Sequence, residues 1–259
     1  MRLINLNIWG GILFDELIQF LREKKQDSNF FCLQEVHKSD RSVITPKGGR
    51  SNILLDLKKE LSDFDFIFSP SYHGRDFEYV VDYPLSHGPA IFWKKSHPPK
   101  KTGSIFTHYS ENDVRQFPGH IQPDVPRNFQ YLIYDKFLVI NFHGYWTPSA
   151  KFDTKERLEQ SEKIIAFAKN QNLPAIIAGD FNLAIDTKSV AMFEEGGFRN
   201  LVRESKAKAT RSKHYNIKWR KNDKFADYIF VSKDVRVLEF KVLPDQVSDH
   251  LPLYLEFEV

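Results

Sequence analysis

The run PAIIAGDFN, residues 174–182, constrains this chain more than any other stretch. Ala175, Ile176, Ile177 and Ala178 are apolar without a break, the pattern of a short strand buried on both faces. The run stops at Gly179, and Asp180 and Asn182 follow. Residues two apart on a strand point to the same side. Asp180 and Asn182 therefore reach one substrate together, with Phe181 turned into the wall between them. The alternative is a polar turn in which both side chains bond only nearby backbone.

Other segments surround this strand. Strands are expected over Arg2–Ile8, Asn29–Gln34, Phe64–Ser69 and Gly88–Lys94. Phe129–Tyr134 and Phe137–Phe142, joined by Asp135-Lys136, read as a hairpin. Phe225–Val231, Val235–Val242 and Leu251–Phe257 close the chain as strands. Leu13, Phe14, Leu17, Ile18 and Leu21 fall at helical spacing. Ser51 reads as an N-cap for a helix with Ile53, Leu54, Leu57 and Leu61 on its inner face. Asp153 and Glu156 have capping-box spacing ahead of Leu158, Ile164, Ile165 and Ala168. A short helix over Lys188–Glu195 ends at Gly196-Gly197. Residues 112–127 read as a proline-bearing loop. Strands, hairpins and helices interleave without a break, which predicts mixed sheets with helices outside and one domain over residues 1–259.

The bulk numbers exclude little. The net charge of +3 is too small to argue for a partner. The single cysteine, Cys32, cannot form an internal disulfide and sits in an apolar run as a small core residue. It suits a reducing compartment. No apolar run approaches the roughly 20 residues that span a bilayer, and MRLINLNIWG reads as a strand and not a secretory leader. The expected setting is the cytoplasm, and the expected state a monomer.

Polar groups gather at the strand ends: Asn7, Glu35, His143, Asp180, Asn182, Asp227, Asp249 and His250. Carboxylates and carboxamides without cysteine suit a hard cation, Mg²⁺ with Mn²⁺ as a substitute. Each residue has a bland alternative, such as a satisfied core histidine at His143 or an acid bonded to a turn at Asp227. The bland account must hold eight times over, each time at the edge of an apolar strand.

NLNIWG, LQEV, NFHG, GDFN, FADYIFVS and SDHLP occur in the order found in the endonuclease/exonuclease/phosphatase superfamily, which this chain resembles from Asn7 to His250. The resemblance implies an α+β fold, a four-layer α/β/β/α sandwich of two mixed β-sheets packed face to face with helices on the outer faces. It implies Glu35 as the main Mg²⁺ ligand, with Asn7 and Asp249 at the metal site. Asp180 then activates the attacking water, Asn182 holds a phosphate oxygen, His250 sits on the scissile phosphate, and Asp227 bonds its other nitrogen. His143 matches a histidine of the deoxyribonuclease I and sphingomyelinase branches. The implied activity is metal-dependent hydrolysis of a phosphoric ester.

The substrate is less legible. The segment from Arg199 to Lys224 is basic, with Arg211 and the aromatics Tyr215 and Trp219, a mixture that suits a nucleic-acid backbone and stacked bases. Tyr145 and Trp146 are further candidates for stacking. A solvated basic loop is the alternative. Nuclease or DNA-end processing, with DNA ahead of RNA, is the first expectation. Hydrolysis of a lipid headgroup or small phosphoester is the second, and a non-catalytic binding protein is a remote third. Abasic-site endonucleases of the exonuclease III type carry a tyrosine where this chain has His143, which argues against that branch.

Overall fold

Residues Ala175–Asp180 form a strand in which all six residues are buried. The computed structural model describes residues 1–148, 151–216 and 223–259. In chain order the strands are β1 (Arg2–Asn7), β2 (Phe30–Lys38), β3 (Phe64–Phe68), β4 (Tyr72–His73), β5 (Arg75–Asp76), β6 (Tyr79–Val80), β7 (Ser86–Lys94), β8 (Lys101–His108), β9 (Arg115–Gln116), β10 (Pro123–Asp124), β11 (Arg127–Ile133), β12 (Leu138–His143), β13 (Ala175–Asp180), β14 (Phe198–Asn200), β15 (Asp227–Ser232), β16 (Arg236–Val242) and β17 (Leu253–Glu258). The helices are α1 (Phe14–Lys24), α2 (Ile53–Glu60), α3 (Lys155–Asn170), α4 (Lys188–Glu195) and α5 (Leu201–Glu204).

Two large mixed sheets result. The first runs β16-β17-β1-β2-β7-β3, with β4 also on β7; the second runs β14-β15-β13-β12-β11-β8. Each contains one central parallel pair, β1–β2 and β12–β13. Parallel neighbours need a long crossover; α1 supplies the first and α3 the second.

Alternation along the strands builds the layers. Leu3, Phe30 and Cys32 join the core shared with the second sheet. Their neighbours Ile4, Phe31 and Leu33 pack instead with Leu17, Phe20 and Leu21 of α1 and Ile53, Leu54 and Leu57 of α2. Ile164 and Ala168 of α3 and Val190 and Phe193 of α4 cover the second sheet. The sandwich of two sheets with helices outside is therefore the observed architecture.

The inter-sheet layer is apolar near β16 and β17 and polar beneath the strand ends. Asn141 Nδ2 donates to Leu33 O at 3.0 Å, Ala90 O at 3.2 Å and Gln130 Oε1 at 3.1 Å. Gln34 Nε2 donates to Asn5 Oδ1 at 3.0 Å and Asn141 Oδ1 at 2.6 Å. These amides cross from one sheet to the other. A buried amide left without partners costs about 1–3 kcal/mol, so they admit one docking register.

Several boundaries differ from the sequence expectation. β2 does not stop at Gln34 but continues through Glu35 to Lys38, across a register shift between Leu33 and Val36. Ser51 is not an N-cap; its hydroxyl accepts from Val43 N and donates to Arg41 O, and Asn52 precedes α2. Thr154, not Asp153, caps α3. Asp153 instead accepts from the backbone N–H groups of Lys188 and Ser189 at 2.8 and 2.7 Å, tying the entry of α3 to the start of α4. β8, β14 and α5 were not expected, and residues 112–127 contain β9 and β10.

Candidate active site

The carboxyl ends of β1, β2, β12 and β13 meet at one edge of the sandwich, and the sequence folds there with two irregularities. Glu35 (φ 57°) and Asn182 (φ 54°) both lie in the left-handed region. For a residue such as Glu that conformation costs on the order of 1–3 kcal/mol and persists only where the surroundings impose it. At Glu35 it coincides with the β2 bulge, which turns the carboxylate out of the sheet. Glycines let the strands close up. A Cβ on Gly179 would strike the Phe142 carbonyl oxygen, and one on Gly144 the Phe181 carbonyl oxygen.

Asn7 Nδ2 donates to both Glu35 Oε1 and Asp180 Oδ2 at 3.0 Å, and its Oδ1 accepts from Trp9 N. His143 Nε2 lies 3.9 Å from each of the same two carboxylates. His250 Nδ1 sits 2.8 Å from both oxygens of Asp227, while its Nε2 faces Asp180 at 3.6 Å and Asp249 at 3.7 Å. Arg211 Nη1 lies 3.5 Å from Asp249 Oδ2 and also meets His250 Nε2, so two cationic groups converge on one point. Asn182 Nδ2 donates to Gly144 O and its Oδ1 accepts from Lys151 Nζ.

Charge in this cluster is strongly unequal. Burial alone would raise Asp180, but His250, Arg211 and Lys151 hold it well below the usual carboxylate range. Burial and the neighbouring Asp249 push Glu35 up, although 31% of its side chain opens to the cavity. Burial and Arg211 work against a charged His250, and Asp227, Asp249 and Asp180 outweigh them, so its pKa is raised. Burial, with the Arg127 charge, drives His143 well below its ordinary value, so this imidazole is neutral. Burial and Arg211 bring Lys151 down to about 7.

The donor set fits a hard divalent cation. Glu35, His143 and Asp180 offer ligand atoms within 4.8 Å of one another, as do Asp180, Asp227 and His250. Crowded carboxylates beside an open cavity are what such an ion compensates.

Of the residues expected from sequence, Glu35, His143, Asp180, Asn182, Asp249, His250, Arg211 and Trp146 line one cavity of about 200 Å³. Asn7 and Asp227 stand directly behind it through their bonds to Glu35, Asp180 and His250. Tyr145 turns away: it is buried, and its hydroxyl donates to Asp124. Trp219 lies outside the described residues. His37, Asp76, Phe77, His87, Arg127 and Lys47 also line the cavity and were not singled out from sequence. His37 lies on the part of β2 beyond the bulge, past the Gln34 end that the sequence suggests. Arg127 and His87 come from strands whose pairing no local pattern shows.

Buried carboxylates, two imidazoles whose pKa values are pushed in opposite directions and a carboxamide, set on the strand ends of a face-to-face sandwich, define a phosphoric ester hydrolase. Residues 4–250 match the Endonuclease/Exonuclease/phosphatase family, and the chain belongs to it. Similar solved structures include an endonuclease/exonuclease/phosphatase family protein from Leptotrichia buccalis, 18% identical with a TM-score of 0.72 over 100% of both chains. The mannosyl-6-phosphatase of Bacteroides thetaiotaomicron is 20% identical, with a TM-score of 0.68 and 100% of both chains covered. A humanized D. rerio TDP2 is 18% identical, with a TM-score of 0.63, covering 100% of this chain and 99% of its own. Likeness at these identities shows a common fold. No curated protein matches the chain at a significant level.

Proposed function

We propose that the protein is a Mg²⁺-dependent phosphodiester hydrolase that acts on nucleic-acid ends, DNA ahead of RNA. The supporting observation is the cavity: about 200 Å³, walled by Trp9, Phe77, Trp146 and Tyr215 around the charged centre. A recess below the usual ligand-pocket range of roughly 300–1,000 Å³ suits a single nucleotide with its own phosphates and a ring against an aromatic wall, not the middle of a duplex.

In this proposal Asp180, kept ionised, takes the proton of the attacking water as general base. Asn182, its carboxamide pinned at both ends, turns its remaining N–H toward a phosphate oxygen. His250, held protonated by Asp227, and Arg211 stabilise negative charge as it grows on the phosphoryl oxygens in the transition state. Glu35, with Asp180 and His143 beside it, would hold the divalent cation, which would supply neutralisation of the phosphoryl charge.

A second reading is hydrolysis of a small phosphoester. Arg199 is paired with Glu204 at 2.7 Å, and Arg203 with Glu194 at 3.2 Å and Asp186 at 3.5 Å. Two cations of the basic segment are thereby neutralised within the protein. The likeness to a mannosyl-6-phosphatase points the same way.

The deciding experiment offers labelled single-stranded, duplex, nicked and 5′-tyrosyl DNA, and in parallel a sugar phosphate, to the purified protein in Mg²⁺. Chelator and Asp180→Asn serve as controls. Metal-dependent cleavage at DNA ends, lost in the variant, is the expected result. Turnover of the sugar phosphate alone would select the second reading.

A further inference from the structure

One wall of the cavity carries a cation that the chemistry above leaves idle. Arg127 is 3% exposed, yet its Nε has no hydrogen-bond partner. Among the described residues no carboxylate pairs with its guanidinium. Burying an unpaired charge costs several kcal/mol, so a fold that retains one has another use for it. The backbone aims this side chain: the pairing of β11 with β8 shifts register between Arg127 and Asn128, and such bulges redirect side chains beside active sites.

Two imidazoles share the wall. His87 is 5% exposed, and its ring lies 6.3 Å from that of His143 and 5.2 Å from that of His37. Neither His87 Nδ1 nor His37 Nδ1 has a hydrogen-bond partner. The nearby acid is already committed: Asp76 accepts from Lys47 N at 2.6 Å and sits 3.7 Å from His37 Nε2. The other cation on this wall, Lys47, lies 3.3 Å from Glu78. Arg127, His87 and His37 line the same cavity, and a guanidinium without a carboxylate partner on a wall that also carries imidazoles matches an oxyanion. The phosphoryl group to be cleaved already has Arg211, His250 and Asn182 around it.

We propose that Arg127, His87 and His37 form a second anion subsite that holds another phosphate of the same substrate beside the one that is hydrolysed. It rests on the phosphoester reading above and narrows it to substrates with two phosphates. The second phosphate is either the next one along a nucleic-acid strand or the second one of a small bisphosphate.

The test compares wild type with Arg127→Met, with His87→Gln as a second variant, and has two parts. Binding of thymidine 3′,5′-bisphosphate and thymidine 5′-monophosphate is measured calorimetrically in chelator, where no turnover occurs. Turnover in Mg²⁺ is then measured on 5′-phosphorylated against unphosphorylated trinucleotide, and on glucose 1,6-bisphosphate against glucose 1-phosphate. Wild type is expected to favour the doubly phosphorylated member of a pair, and Arg127→Met to lose at least about tenfold of that preference, the worth of one charge-assisted hydrogen bond. Preference within the oligonucleotide pair names the strand as source; preference within the sugar pair names the small molecule. If Arg127→Met lowers both members of each pair equally, or wild type shows no preference in binding, the subsite is refuted. A protein that turns over nothing, yet binds the bisphosphate through Arg127, would refute the proposed reaction and leave the subsite standing. Melting curves confirm folding, and removal of an unpaired buried charge should leave Arg127→Met at least as stable as wild type.

Discussion

Lys151 Nζ donates to Asn182 Oδ1 at 3.0 Å, with both side chains buried. The bond fixes which end of the carboxamide faces Gly144 and the cavity. Lys151→Met should lower kcat about 10–100-fold, the usual effect of removing a residue that orients a site group, with a smaller change in KM. Lys151→Arg should restore part of the loss. Equal effects on kcat and KM would argue against an orienting role.

The same lysine predicts a pH effect on stability. Its folded pKa, about 7, lies below the ordinary 10.5. Between those values the unfolded chain carries the extra proton, so this group makes stability rise with pH across that window. Melting curves of wild type from pH 7 to 10 should show the rise relative to Lys151→Met, in which this contribution is gone.

His250 gives the opposite sign. Its raised pKa means that its stabilisation is complete below its unfolded value near 6.5 and is lost as pH rises through the folded value. The protonated form is also the one proposed to stabilise the transition state, so kcat/KM should fall on the alkaline side. In Asp227→Asn that descent should move to lower pH, and the rate at neutral pH should drop roughly 100-fold or more.

Removing the cation should be as damaging as removing its cradle. Chelator should abolish turnover, and Mg²⁺ or Mn²⁺ at about 100 times Kd should stabilise the wild type by about 2.7 kcal/mol. In Glu35→Gln that stabilisation should shrink sharply, read as a smaller metal-induced rise in Tm.

The aromatic floor of the site should set global stability. The Phe181 ring lies 5.2 Å from Phe142, 5.3 Å from Phe193 and 5.4 Å from Tyr228 and Phe230. Phe181→Ala should cost about 3–5 kcal/mol, measurable by urea unfolding.

Much of this was legible because the apolar strands announce themselves. β13 and α4 lie where the sequence placed them, and six short motifs in order pointed to the two-sheet sandwich. What escaped was non-local. β8 is a half-exposed edge strand with little alternation to betray it. The true cap of α3 and the use of Asp153 on α4 depend on two helices meeting. Tyr145 and Trp146 are adjacent in sequence, yet one is bonded into the fold and the other lines the cavity, a choice that only packing makes. Arg127 and His87 gain meaning only once β11 and β7 are brought to the same edge.

The polar amides between the sheets have a consequence for how activity arises during synthesis or refolding. Glu35 and Asn7 belong to one sheet and His143, Asp180 and Asp227 to the other, so the candidate centre is a seam. Neither half holds a diluted version of it. A chain with full secondary structure but undocked layers would lack the centre, so hydrolysis requires both sheets in register.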